Sequence, residues 1–481
     1  MRLSERKVIV LIFLTCFLVY LIGWSGEPYS IDGMVMYQFA KLIILKHQFV
    51  FNPHLDWGGV ILPTSKWAIG LSLVYMPVIW FFSILPASVG SQFLNLPHGT
   101  VENIRLMMLN DPGYRIASLI HLAINSLAAV NVYLLSKEFG LRKKISIGSA
   151  LVFGVFSPVL VYSRLDYSQP LAGLFLILGV LFSVRYLKDA KRVHLFLSSL
   201  WFAAACLTRV ELILITPLVG VFSILMKEKG LLKTKWKIGF LWVVPFIMFL
   251  MVQFSLNYLR YGSILTFGYE ASSEFVFEPL SYFWGWANQL LNPERGILIF
   301  FPLIIIGIFG FMELYYRNKS LFLIWLWLFI TPLFLYAGWK DWHAGYTWGP
   351  RFLISFLPIW IPLVFFKMQS IWDKKQISGI IISLFLFLLG VLASLQGFFI
   401  NRLNQANSIE IILKEGNFFA KLPYFYQLTD FKSLSNFDSF WVHQTLSDVV
   451  IRALFFAGMV FLLGMVFALW LVYFLNKEEV V

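Results

Sequence analysis

Apolar residues run in long unbroken stretches along the whole 481-residue chain, parted by short polar interruptions. A helix needs about 20 such residues, apolar on every face, to cross about 30 Å of hydrocarbon. The pattern predicts these helices over 8–24, 114–136, 145–162, 168–187, 194–209, 210–226, 238–257, 297–316, 320–337, 352–367, 377–397 and 449–474. That is an all-α polytopic membrane fold of about twelve spans with both chain ends on one side. No internal repeat, linker or low-complexity tract divides it, so residues 1–481 read as a single domain. Three stretches between spans are long, 25–113, 258–296 and 398–448, and loops beyond about 15 residues usually carry function.

Composition supports the membrane reading. The chain is 59% hydrophobic and only 13% charged, with a mean hydropathy of +0.78, against about 25% charge in a soluble domain. The formal charge of +13 does not mark a nucleic-acid binder, because the cations are not gathered on one domain. They sit in short clusters at 2–7, 137–144, 185–192, 227–237, 317–319, 367–375 and Lys477, which hold 22 of the 38 basic residues. Clusters of this kind mark cytoplasmic loops, and placing them all inside fixes most crossings. One apolar stretch, 68–85, then lies along the outer face as an interfacial or re-entrant helix. The alternative is an ordinary span with a compensating crossing near 98–113. The first apolar run lacks a small-residue cleavage site and reads as a retained signal anchor. Cys16 and Cys206 both fall inside apolar runs and imply no disulfide framework.

On this topology one set of polar residues collects on the outer face. Asp32 lies in Tyr29-Ser30-Ile31-Asp32-Gly33 just beyond the first helix, and Lys66 in Pro63-Thr64-Ser65-Lys66-Trp67 before the interfacial helix. Arg164 and Asp166 close the 145–162 span, and Asp341, Trp342, His343, Tyr346 and Arg351 fall in an aromatic-rich stretch. Each has a structural alternative. A helix-end carboxylate is commonly a cap, Lys66 can snorkel to lipid phosphates, and 339–348 can be an interfacial aromatic belt. Ionisable groups at bilayer depth are nonetheless functional candidates by default. Two acids among several cations suit an anionic lipid-linked substrate, with a carboxylate as base and cations on phosphate.

Here the chain resembles the glycosyltransferase C superfamily, in the branch of protein O-mannosyltransferases and lipid A aminoarabinose transferases. The resemblance lies in Ser30-Ile31-Asp32-Gly33 with Tyr37 and Ala40, in Ser65-Lys66-Trp67-Ala68, and in Asp166. It continues in Arg260-Tyr261-Gly262-Ser263, Asn292-Pro293-Glu294-Arg295-Gly296 and Trp348-Gly349-Pro350-Arg351-Phe352. It departs at Gly33, where the family carries a second acid, and at Ser65, where aminoarabinose transferases carry an acidic metal ligand. No appended sugar-binding domain is expected, and no Trp-Trp-Asp-Tyr-Gly motif or Asp-x-Asp pair occurs.

The resemblance implies an inverting hexosyl- or pentosyltransferase of the cell envelope, multi-pass in the cell or inner membrane and acting on its non-cytoplasmic face. It would move a sugar from a polyprenyl-phosphate donor to a glycan, lipid or protein acceptor. Asp32 would be the general base, with Asp166 orienting substrate or Asp32. Lys66 and Arg351, then Arg164 and Arg295, would hold phosphate. Tyr37, Asp341, Trp342, His343 and Tyr346 would meet sugar or acceptor. No cofactor is firmly implied, and the need for a divalent metal stays open. A transporter or flippase of lipid-linked sugars and a polymer ligase are the alternatives. The first should show repeat symmetry, and the second would share the donor.

Overall fold

The computed structural model describes residues 4–51, 55–56, 61–62, 64–85, 107–108, 111–227, 232–267, 279–339 and 347–399. Apart from a two-residue antiparallel ribbon, β1 (Leu55–Asp56) and β2 (Ile61–Leu62), the regular structure among them is helical. The first part of the chain forms α1 (Glu5–Ile22), α2 (Ile31–Lys46), α3 (Gly70–Ser83), α4 (Pro112–Glu138) and α5 (Lys143–Val155). Then come α6 (Gln169–Asp189), α7 (Arg192–Thr208), α8 (Thr216–Lys227), α9 (Leu232–Tyr261) and α10 (Pro279–Leu291). The last four are α11 (Ile304–Arg317), α12 (Lys319–Ala337), α13 (Leu357–Asp373) and α14 (Ile377–Phe399). Short helical turns at Val159–Tyr162, Val210–Leu214, Ile297–Phe300 and Arg351–Phe356 connect them.

Among the described residues seven helices are long and apolar enough to cross a bilayer: Pro112–Glu138, Gln169–Asp189, Val210–Lys227, Trp236–Tyr261, Lys319–Ala337, Arg351–Asp373 and Ile377–Phe398. Each coincides with a predicted span. The count of twelve is not confirmed among the described residues, and the other five predicted spans differ from these seven in local ways. Glu5, Arg6 and Lys7 occupy the first turn of α1. The 145–162 run breaks at Phe156 before Pro158, and 297–316 breaks at Phe301-Pro302, where a ring replaces a backbone N–H. α7 has only 17 residues, and 449–474 lies outside the described residues, as does 398–448 beyond α14.

The long stretches between predicted spans hold helices of their own. α10 lies within 258–296, and 25–113 contains both α2 and α3. α2 is absent from the sequence reading for a physical reason. Its residues from Gly33 to Leu42 are all buried, so it has no apolar stripe, while Asp32, Gln38 and Lys41 interrupt its apolar run. α3, with 14 residues, is about 21 Å long at 1.5 Å per residue, too short to cross upright. It is fastened to α2 by Ser72 Oγ donating to the Met36 carbonyl at 2.8 Å. A 2.7 Å hydrogen bond between Tyr75 Oη and His121 Nε2 fastens it to α4.

α4 is the hub, packing on α1, α3, α5, α6 and α13. Without a hydrophobic driving force between helices in lipid, close approach through small residues sets such contacts. Gly173 of α6 lies against the Ser355 backbone, and Gly310 of α11 against Leu363 of α13.

The basic clusters converge at one end of the bundle. Lys137 pairs with Glu5 at 2.5 Å, Arg185 and Lys188 with Glu138 at 3.0 and 2.6 Å, and Lys367 with Glu313 at 3.5 Å. Arg142 pairs with Asp373, and Lys227 Nζ donates to the Leu187 carbonyl at 2.7 Å. These exposed or half-buried pairs are worth little in stability, but they show that clusters distant in sequence share one rim. An exposed cysteine at that rim, Arg192→Cys, is therefore expected to resist an impermeant thiol reagent applied outside. Ile31→Cys, exposed at the opposite end, is expected to react. The native Cys16 and Cys206 are buried and silent. Labelling of both variants from the same side would overturn this topology.

Candidate active site

At the end away from the basic rim, the start of α2 is held by a buried acid. Ser30 is its N-cap, and the Ser30 hydroxyl accepts from the Gly33 N–H at 2.9 Å, satisfying one of the free donors of a helix start. Asp166, 2% exposed, accepts three further bonds. Its Oδ1 takes the Ser30 N–H at 2.8 Å, while Oδ2 takes the Tyr29 N–H at 3.2 Å and the Tyr114 hydroxyl at 2.9 Å. Gly33 lies so close that a Cβ there would overlap both the carboxyl group and the carbonyl oxygen of Asp166. Asp166 thus joins residues 29–33 to α4 and fixes where α2 begins.

Asp32, in the first turn of α2, benefits from the positive end of the helix dipole. Its carboxylate pairs with Arg351, and the two side chains remain 21% and 12% exposed. The Arg351 guanidinium lies 3.9 Å from the Tyr167 ring centroid, a cation–π contact that orients its plane. In the amide orientation its neighbours require, the Gln169 side-chain carbonyl accepts from Arg351 Nε at 3.0 Å and from Arg209 Nη1 at 2.6 Å. Arg209 in turn binds Glu211 at 2.5 and 2.6 Å, and Glu211 accepts from the Tyr336 hydroxyl at 3.2 Å. Five separate stretches of chain therefore meet in one polar band, at 29–33, 111–114, 166–169, 209–211 and 351. Beside it a pocket is lined by Gln289, Arg295, Gly349, Pro350, Arg351, Phe352 and Leu353.

The other candidates have distinct positions. Arg295 donates to the carbonyls of Thr347 and, at 3.3 Å, Glu294, bracing the loop before Arg351. Arg164 donates to the Gly397 carbonyl at 3.2 Å and lies 5.7 Å from the Tyr29 ring. Lys66 lies 5.6 Å over the Trp67 ring. Its segment is fastened by Arg260 donating to the Trp67 carbonyl at 3.1 Å and Tyr261 to the Ser65 carbonyl at 3.4 Å. Tyr37 donates to Asp111 at 3.2 Å beside the buried Lys41–Asp111 pair at 2.9 Å. Asp341, Trp342, His343 and Tyr346 lie outside the described residues. No group of three or more His, Cys, Asp or Glu is placed to hold a metal among the described residues.

Sequence reasoning missed Arg209, Glu211, Gln169, Asp111 and Lys41. A signal existed for the first two: a basic residue in a tight turn between apolar runs, on the side the charge rule assigns to the exterior, breaks that rule. Lys41 was visible as a lone cation among apolar neighbours. Gln169 carried none.

The chain superposes on ArnT from Cupriavidus metallidurans in the apo state with a TM-score of 0.51 and 11% identity, covering 91% of this chain and 77% of that one. It also superposes on the Archaeoglobus fulgidus oligosaccharyltransferase in the apo form with a TM-score of 0.50 and 11% identity, covering 94% of this chain and 60% of that one. The chain thus spans about three fifths of the oligosaccharyltransferase's length. No family model matches the sequence, and no curated protein matches it. At such identities the likeness is one of fold alone.

Proposed function

We propose that this protein is an integral membrane glycosyltransferase, a single domain over its 481 residues. It moves a sugar from a polyprenyl-phosphate donor to an acceptor on the non-cytoplasmic face. ArnT, which has a similar fold, also has a structure bound to undecaprenyl phosphate, a carrier of the class proposed here.

The observation that carries the reading is the division of labour between the two acids. Asp166 is spent on three hydrogen bonds, whereas Asp32 stays partly open and is matched to an arginine beside a pocket. Asp32 accepts the proton of the acceptor hydroxyl as its oxygen bonds to the anomeric carbon. The bond from that carbon to the phosphate oxygen breaks, its electron pair stays on the phosphate, and the centre inverts. The transition state has oxocarbenium character, as in glycoside hydrolysis. Arg351 stands where it can exchange the Asp32 carboxylate for phosphate as Asp32 becomes neutral. An interaction that strengthens as charge grows lowers the barrier rather than merely tightening binding.

A transfer assay with radiolabelled polyprenyl-phosphate sugars in proteoliposomes, run against glycan, lipid and protein acceptors, tests the reading. Labelled acceptor is expected, and flipping of donor without transfer would favour a transporter. Arg351→Ala is expected to weaken donor binding and turnover with insertion intact. Arg351→Lys should recover only part, because the planar fork is lost. Lys66→Ala is expected to act in the same direction as Arg351→Ala. Full activity of both Ala variants would remove these cations from the site.

A further inference from the structure

Arg209 is the most conspicuous charged group that the reaction just described does not use. It shares a single acceptor atom, the Gln169 carbonyl oxygen, with Arg351. Two like charges are not ordinarily brought onto one neutral oxygen without counter-ions, and here each has its own: Asp32 for Arg351 and Glu211 for Arg209. Both guanidinium planes are also set by rings. Arg351 lies over Tyr167 at 3.9 Å, and Arg209 lies 5.5 Å from Phe352, itself stacked on Tyr336 at 4.7 Å. Phe352 lines the same pocket as Arg351, and the Arg209 and Glu211 side chains remain 12% and 18% exposed. The unit is preorganised, neutral overall when empty, and reachable.

From this, and resting on the transferase reading above, we infer that Arg209 is a second phosphate ligand of the site and that the arginine pair is built for a phosphate monoester rather than a diester. The charge count gives the reason. A polyprenyl-phosphate sugar is a diester with one negative charge, and one bidentate guanidinium matches its two free oxygens. When the bond to the anomeric carbon breaks, the phosphate becomes a monoester, with a third free oxygen and nearly a second charge. Asp32 has meanwhile taken a proton. The charge lost from the carboxylate equals the charge gained by the phosphate, so the total charge of the site does not change. Arg351, relieved of Asp32, and Arg209, held beside it by Gln169, meet the new charge together. Arg209 then acts chiefly on the leaving group, so its loss should lower turnover more than donor affinity.

The competing view makes the cluster a brace that ties residues 167–169, 209–211 and 351 together. A brace has no preference between anions. The test measures binding of undecaprenyl phosphate and of its methyl diester to the full chain in nanodiscs. The wild type is expected to bind the monoester at least about tenfold more tightly, one or more charge-assisted bonds' worth of discrimination. Arg209→Gln should lose most of that preference while keeping diester affinity within about threefold. Glu211→Gln removes the counter-ion of Arg209 and should tighten the monoester several-fold, a gain that misfolding cannot produce. If the wild type binds neither lipid, the transferase reading itself fails. If it binds both and neither variant alters the ratio, the reading stands and the second-ligand role of Arg209 is overturned.

Discussion

Asp32→Asn is expected to lower turnover at saturating donor by at least about 10²-fold, the lower end of general-base catalysis, with donor affinity unchanged or improved. The amide keeps the shape of the acid but cannot take the acceptor's proton. It also ceases to neutralise Arg351, which leaves that guanidinium more available to phosphate. Loss of turnover with retained or tighter binding is a pattern that simple misfolding does not give. Asp32→Glu moves the carboxylate by about one methylene, and a displacement of about 1 Å can itself cost about 10²-fold. Asp166→Asn should also lower turnover, through a different route. One of its atoms becomes a donor facing the N–H groups of Tyr29 and Ser30 or the Tyr114 hydroxyl, so α2 starts less firmly and part of the activity survives. Turnover and binding of the two Asn variants, measured side by side, decide the assignment. Near-normal turnover of Asp32→Asn with loss in Asp166→Asn would reverse it.

Gly33→Ala, a change of one methyl group, is expected to be nearly as damaging. The added carbon would overlap the Asp166 carboxyl and also its main-chain oxygen, which cannot swing aside as a side chain can. Forcing an extra methyl into a packed site costs about 1–3 kcal/mol, so thermal unfolding in detergent should shift downward. The first turn of α2 must move to relieve the clash and takes Asp32 with it, so turnover should fall on the order of 10²-fold as well. Gly239→Ala is the control, because nothing lies within 4 Å of a Cβ there, and alanine at that helical position should be neutral or mildly stabilising. Wild-type stability and turnover in Gly33→Ala would refute the account of this contact.

Much of the membrane architecture was legible in the sequence because it depends on contiguous apolarity, a property of neighbouring residues. The seven described helices long and apolar enough to cross coincide with predicted spans for that reason. α2 was not legible, since burial on all sides removes the periodic signal by which a non-spanning helix is ordinarily recognised. The site was partly legible. Asp32, Asp166 and Arg351 stood out as ionisable groups beside apolar runs, but the sequence could not show that Asp32 and Arg351 meet while Asp166 turns to the backbone. Those pairings join positions more than 130 residues apart. Gln169 could not be singled out at all, because its importance comes entirely from the two arginines brought to it.

The two ion pairs of the polar band also differ in how they come into being during synthesis. Arg209 and Glu211 are two positions apart and can neutralise one another as the hairpin carrying them enters the membrane. Asp32 and Arg351 are separated by 319 positions, so the acid is made and placed long before its partner exists. An unpaired charge at the centre of an inserting helix costs about 2.5–3.5 kcal/mol, which favours leaving Asp32 at the outer end of its helix until Arg351 emerges. The Asp32–Arg351 pair is therefore completed late in synthesis, and a chain released before residue 351 would carry Asp32 without its counter-ion.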